Sequence, residues 1–427
     1  MASDRMTTAC QTDSWTTSST STDGFLFDNG QIDAGPYVGS VRSQEMGGFG
    51  FIDNDVNDTH YNQAYSMRNQ NQSYRSQNDP NAGTPYFYFR DTGTRGWLYE
   101  GFKDRLKCRH RTFQSGQSAG SAFLQFSDLE DYQMGSAKFP TGILATPYTL
   151  SINVGFRPSA VFLISCGTDN SGYYNSISTA LMNFGFLCDS GQCGLDLRGV
   201  NSQAPEYVTQ TTTEFICDRP RVSTESDSVY QIRGALTGDG FDLTMEYWSD
   251  EGNTELPDTN WWYFALRDTR VSWGCKELIA PDVAGTRVEE MGGTPLFAMP
   301  WMVGSQVYGK NVEDWISVST GAIDEAGNSR CTALANGSSF PSGGAGDFTI
   351  ASNRAVRLCT EIPVSYGASM IPDSTTPVIE GVGYNFDWEI VGGGGGWRGV
   401  MPYAYIPAPD IPSLTLKEYR NKRFTRL

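Results

Sequence analysis

The sequence predicts an all-β protein: three tandem antiparallel β-sandwich or jelly-roll-like modules with little helix. Three observations predict it. Apolar and polar residues alternate over short runs, Gly, Ser, Thr, Asn and aromatic residues punctuate the chain, and the sequence resembles itself at a period of roughly 140 residues.

The alternation is clearest in Phe241-Asp-Leu-Thr-Met-Glu-Tyr247, which places Phe241, Leu243, Met245 and Tyr247 on one face and Asp242, Thr244 and Glu246 on the other. That is the pattern of a half-buried antiparallel strand. No segment of comparable length shows capped i, i+3, i+4, i+7 apolar spacing, so helix content is expected to be low.

The self-similarity has three parts. Gly155 to Gly167 aligns without gaps on Gly309 to Gly321, each reading as a turn followed by a buried strand. Phe184-Gly-Phe-Leu187 matches Phe49-Gly-Phe-Ile52, a short aromatic strand around a glycine. Glu100-Gly-Phe102, Asp239-Gly-Phe241 and Val382-Gly-Tyr384 each read as the opening of a strand, answered by the aromatic segments Ser121–Phe126, Trp261–Ala265 and Met401–Tyr405.

These matches divide the chain into an N-terminal β module at 1–135, a central β-sandwich at 140–272, a C-terminal β-sandwich at 290–412 and a basic arm at 413–427. Thr269 to Gly293, with Pro281 and Gly285, reads as a linker. The first module lacks an obvious counterpart of Gly155 to Gly167. Its first 24 residues are rich in Thr and Ser and are expected to be an extended arm ordered by a neighbour, because Cys10 and Trp15 give it something to bury.

Composition narrows the function. The chain has 427 residues, 39% hydrophobic and 19% charged, which suits two to four folded units and excludes a disordered chain. Its net charge of −17 disfavours nucleic acid and anionic membranes as partners. No apolar run is long enough to span a membrane, and the N-terminus has no apolar signal-peptide core, so synthesis in the cytoplasm is expected. The two histidines, His60 in a polar stretch and His110 beside a strand, leave little for imidazole catalysis, and there is no G-x-S-x-G elbow. The nine cysteines contain no CxxC pair; even Cys188 and Cys193, the closest two, read as reduced, buried apolar residues.

Other motifs fail on inspection. Asp53 to Asp58 looks like a calcium loop, but Asp58 stands where an EF-hand needs glycine and Ala64 where it needs glutamate; only a looser site in this polar turn remains open. Gly392 to Gly399 lacks the Lys-Ser/Thr of a phosphate loop and joins two strands. No catalytic, cofactor-binding or metal-ligating residue is assigned. Exposed aromatics could serve a lectin-like site, with Trp261, Trp262, Tyr173, Tyr174 and Trp397 as candidates, although paired aromatics on strands are more often core or subunit interface.

The C-terminus has a distinct charge. Lys417 to Leu427 holds five basic residues and one acidic, net +4, which leaves −21 on residues 1–416. Lys417, Arg420, Lys422, Arg423, Phe424 and Arg426 are the expected partner-binding residues, an arm suited to an acidic neighbouring subunit.

Gly155-Phe156-Arg157-Pro158-Ser159-Ala160-Val161, followed by an apolar strand and later by Asp239-Gly-Phe241 and Trp262-Tyr-Phe-Ala265, resembles a module of tailed-bacteriophage virion proteins. In that module a GFxPxxV turn opens the domain and a GF…[WY]xxA hairpin closes it. The resemblance covers the central module, and the outer two only through their likeness to it. It implies a non-enzymatic structural virion component in the tail, baseplate or fibre. Its expected partners are copies of itself, other virion proteins and a host surface glycan. The alternatives are a capsid decoration or neck/collar protein, and a carbohydrate-binding module or depolymerase.

Overall fold

The computed structural model describes residues 6–16, 24–28, 36–43, 46–53, 59–66, 75–78, 86–91, 95–102, 105–110, 118–140, 146–166, 179–200, 206–220, 228–248, 260–281, 285–304, 315–337, 348–352, 354–356, 378–380, 383–388 and 398–407. The regular elements among the described residues are all strands, and they pair antiparallel, as the alternation predicts.

The first ten strands are β1 (Thr7–Thr16), β2 (Gly24–Asp28), β3 (Pro36–Ser43), β4 (Met46–Asp53), β5 (Thr59–Ser66), β6 (Arg75–Asn78), β7 (Tyr86–Asp91), β8 (Arg95–Phe102), β9 (Arg105–His110) and β10 (Ser118–Ser127). They form a six-stranded sheet in the order β1-β10-β3-β4-β5-β6 and a four-stranded sheet in the order β2-β9-β8-β7. The next ten are β11 (Asp131–Lys138), β12 (Tyr148–Asn153), β13 (Ala160–Cys166), β14 (Thr179–Cys188), β15 (Gly191–Val200), β16 (Glu206–Thr212), β17 (Cys217–Pro220), β18 (Ser228–Leu236), β19 (Gly240–Trp248) and β20 (Asn260–Arg267). Their sheets are β11-β20-β13-β14-β15-β16 and β12-β19-β18-β17, the same order as before.

The last ten are β21 (Ser272–Ile279), β22 (Gly285–Glu290), β23 (Gly293–Ala298), β24 (Trp301–Gly304), β25 (Trp315–Ile323), β26 (Ser329–Gly337), β27 (Phe348–Ser352), β28 (Val378–Glu380), β29 (Gly383–Trp388) and β30 (Arg398–Pro407). The order recurs as β21-β30-β23-β25-β26-β27 with β24 beside β25 and β30, and β22-β29-β28. Here β23 and β24 share the place of one strand, interrupted at Met299-Pro300, because proline has no N–H to give a sheet ladder.

The topology corrects five sequence expectations. Thr269 to Gly293 is no linker, since it holds β21 and β22, whose apolar positions were too short a signal to show which sheet they join. The alignment of Gly155–Gly167 on Gly309–Gly321 matches strands that are not equivalent: β13 lies beside β20, whereas β25 takes the place of β14. Both are buried strands of similar composition, which is why they align. The counterpart of β13 in the first set is β3, although its sequence Pro-Tyr-Val-Gly-Ser-Val-Arg-Ser shares no motif with it. Glu100-Gly-Phe102 closes β8, whereas Gly240 and Gly383 open β19 and β29. The Thr/Ser-rich N-terminus is ordered from Thr7 to Thr16, along β10 of its own set.

Two kinds of core follow from strand parity. In β13, Val161 and Leu163 turn toward β12, β18 and β19 inside the second sandwich, with Phe241, Leu243 and Met245 opposite them. Ala160, Phe162 and Ile164 turn the other way, into a core shared with the first and third sets. In β20, Trp261, Tyr263 and Ala265 likewise face the sandwich, and Trp262, Phe264 and Leu266 the shared core. Phe49, Phe184 and Trp301, one from each set, touch pairwise with ring centroids 4.6, 5.3 and 5.4 Å apart.

The three large sheets close into a ring. Strands β5 and β6 pack on β13 and β14, β15 and β16 on β21 and β30, and β26 on β1, β3 and β10. Each contact is heterologous, and the third returns to the first set. At that closing joint Ser40, Thr320 and Thr332 form a buried hydroxyl triangle with oxygen separations of 2.6, 2.7 and 3.0 Å.

Two glycines show how tightly the last strands sit. A Cβ at Gly135 would lie 2.5 Å from Cζ of Tyr263, its register partner, and one at Gly274 would lie 2.5 Å from Cζ of Tyr403. Tyr263 is buried in the sandwich core, whereas Tyr403 is half-buried and can swing aside. Gly135→Ala is therefore expected to cost about 2 kcal/mol in chemical denaturation, and Gly274→Ala about half of that. Equal losses would show that the buried ring yields as readily as the open one.

Candidate functional site

The GFxPxxV turn joins β12 to β13, crossing from the small sheet to the large one. Gly155 takes φ 81°, the left-handed region that glycine enters without strain. The Asn153 side chain fixes the turn: its Oδ1 accepts from the Gly155 N–H at 2.8 Å and its Nδ2 donates to Asp239 Oδ2 at 2.8 Å. Val154 and Gly155 both donate from the backbone to Asp239 O. Pro158 is buried, and Ser159 Oγ accepts from the Asp268 N–H at 3.1 Å. The motif is thus a sheet-crossing device.

Beside this turn lies an open groove of about 290 Å³, lined by Arg157, Cys188, Asp189, Gln192, Gly234 and Leu236 among others. Arg157 Nη2 meets Asp189 Oδ1 at 2.6 Å across its mouth. Both side chains are more than half exposed, so the pair contributes little stability. Gln192 is committed to the backbone, donating to Glu214 O at 2.6 Å and accepting from Gly234 N at 2.8 Å.

The groove sits at the end of the body where the three sets begin and end. Met6 N donates to Asp268 Oδ2 at 3.2 Å, Arg270 Nε donates to Asp268 Oδ1 at 2.9 Å, and Arg270 Nη2 reaches Asp128 O. Arg267 pairs with Asp131 and lies 3.6 Å from Glu130. The hydrogen bond to fully buried Asp268 holds the Arg270 guanidinium above its ordinary pKa. Pro407, the last residue of β30, lies opposite Gly293 at this same end. Lys417, Arg420, Lys422, Arg423, Phe424 and Arg426 lie outside the described residues.

The strand ends at Cys166 and Thr179, Trp248 and Asn260, Gly304 and Trp315, Gly337 and Phe348, and Trp388 and Arg398 all lie at the other end. Of the aromatics considered for a glycan, Tyr173, Tyr174 and Trp397 fall between such strand ends and outside the described residues. Trp261 and Trp262 are in the two cores at 0% and 2% exposure, because β20 is covered on both faces.

The buried carboxylates do structural work. Asp324 accepts from Ala326 N and Asn328 N in its own turn and from Cys10 N across the ring joint at 3.0 Å. Asp196 accepts from Asp218 N at 2.8 Å and from Cys217 Sγ at 3.1 Å. His60 and His110 are placed on β5 and β9, and the tested calcium loop beyond Asp53 falls outside the described residues. Among the described residues no group of three His, Cys, Asp or Glu side chains is arranged to hold a metal.

Cys10, Cys188, Cys193, Cys217, Cys275 and Cys331 form no disulfide. Burial, then the Asp324 carboxylate, pushes Cys10 well up. Cys188 is raised by its hydrogen bond with Cys275, then by burial. For Cys275 the bond to Cys188 lowers the pKa, but Cys193 and burial outweigh it. Burial first and Cys275 second push Tyr403 up to about 12. Cys10, Cys188 and Cys275 therefore carry less thiolate at a given pH than an exposed thiol and react more slowly.

No family model matches the chain, and no curated protein is similar to it.

Proposed function

We propose that the chain is a non-enzymatic structural component of a bacteriophage particle, in the tail, baseplate or fibre, that assembles through contacts with copies of itself and with other virion proteins. The observation that carries this reading is the two-ended build of the body. Met6, just before β1, and Pro407, the last residue of β30, lie at one end, and the strand ends that bound the polar and aromatic sequences 167–178, 249–259, 305–314, 338–347 and 389–397 lie at the other. Such a body suits attachment at the first end, with the basic arm on an acidic neighbour, and contact with a host surface glycan at the second. The GFxPxxV resemblance supports the same class. A capsid decoration or neck/collar position uses the same build, and a carbohydrate-binding module or depolymerase would use the second end.

Mass spectrometry of purified particles, with antibody labelling in electron micrographs, tests this directly. A three- or sixfold copy number at the tail is the expected result; many copies on the capsid would move the protein there. Deleting Pro412 to Leu427 is expected to cut incorporation at least tenfold. Unchanged incorporation would overturn the role of the arm, and release of sugars from host polysaccharide would overturn the non-enzymatic reading.

A further inference from the structure

The joint between the second and third sets holds three thiols. Cys188 ends β14 and Cys193 lies just past the turn on β15, and strand parity turns both toward the shared core, where they are 4% and 0% exposed. Cys275, on β21, packs against that core from the third set and is only partly buried. Strand β21 packs on both β14 and β15, and the Cys275 thiol interacts electrostatically with Cys188 and Cys193. The hairpin tip is held in place by Ser190, whose Oγ lies 3.2 Å from Cys188 Sγ and donates to Trp273 O at 2.9 Å. Two strands from different sets thus present free thiols to each other across a fixed interface.

We propose that Cys188 and Cys275 are an oxidative cross-linking site that joins the second set to the third covalently. The order of events follows from exposure. With an azodicarboxamide oxidant such as diamide, the more accessible Cys275 loses its proton and its sulfur adds to the N=N bond. Cys188 sulfur then attacks Cys275 sulfur, the S–N bond breaks and the S–S bond forms. The two thiol protons and two electrons leave on the hydrazine product, so the step balances. Before oxidation, burial raises both thiols and so slows their reaction with an oxidant. The bridge closes a long loop of chain and constrains the unfolded state. This chemistry does not depend on where a particle holds the protein.

The test uses the full chain, oxidised with diamide under native conditions, alkylated, digested without reduction and analysed by mass spectrometry. A Cys188–Cys275 cross-linked peptide is expected, with a rise in melting temperature that dithiothreitol reverses. Cys275→Ser and Cys188→Ser are each expected to lose both signals, whereas Cys193→Ser retains them. Tryptophan emission unchanged by oxidation confirms that the bridge forms in the folded chain. The proposal is overturned if no bridge forms, if Cys275 bridges to any residue other than Cys188, or if the Cys188→Ser chain still gains the reversible stabilisation.

Discussion

Phe162→Ala is expected to lower the stability of the whole body by about 3–5 kcal/mol, seen as one shifted unfolding transition in denaturant. Phe162 is fully buried and touches all three sets. Its ring is stacked on Phe264 at 6.0 Å and lies 4.9 Å from Phe186 in its own set, 6.1 Å from Phe126 in the first, and 6.4 and 6.2 Å from Phe297 and Trp301 in the third. A cavity there removes contacts that no single sandwich can restore by collapsing, because its walls belong to three sheets. Leu163→Ala is the control, since that side chain faces only the interior of the second sandwich. If Phe162→Ala split the transition and left the first and third sets unfolding at their original midpoint, the shared core would not couple them.

Raising the pH is expected to produce the second large effect. Cys10, Cys188 and Cys275 have folded-state pKa values raised above the ordinary thiol value of 9.0. Below that value both folded and unfolded chains carry the proton, so the contribution is fully present. Above it the unfolded chain ionises first, and stability is lost at about 1.4 kcal/mol per pH unit for each independent thiol until the folded thiols also ionise. Tyr403 adds to the loss between its ordinary 10.0 and about 12. Denaturant midpoints at pH 8 and pH 11 should therefore differ by several kcal/mol in free energy, and Cys10→Ser should make the slope shallower. Equal midpoints would mean that these thiols ionise within the folded body.

The aromatic last strands show what local sequence can carry. Ser121–Phe126, Trp261–Ala265 and Met401–Tyr405 were legible as equivalents because each lies in the second position of its large sheet, under the same demand for apolar residues on both faces. The match of Phe49 with Phe184 was legible because β4 and β14 both take the fourth position of a large sheet, under the same demand. The third strands were not. Their counterparts β3, β13 and the split β23–β24 share a place in the topology and little else, because any small or apolar residue fills that place and a proline break is tolerated where β24 resumes the ladder. The candidate site divides similarly. The GFxPxxV turn was visible as a motif, but its role as a sheet crossing depends on Asp239 and Asp268, which are distant in sequence.

By itself the sequence determined that the chain is β, that its strands alternate faces, and that a pattern of roughly 140 residues recurs, since these are properties of neighbouring residues and of spacing along the chain. It also determined the acidic charge of residues 1–416 and the basic end. Only the tertiary structure decided what the doubly apolar strands are buried against. A run such as Ala160 to Ile164 requires cover on both sides and does not specify whose side chains provide it. Closing three large sheets into one ring supplies that cover, and the same closure brings Asp268 to Met6, Ser40 to Thr332 and Cys188 to Cys275.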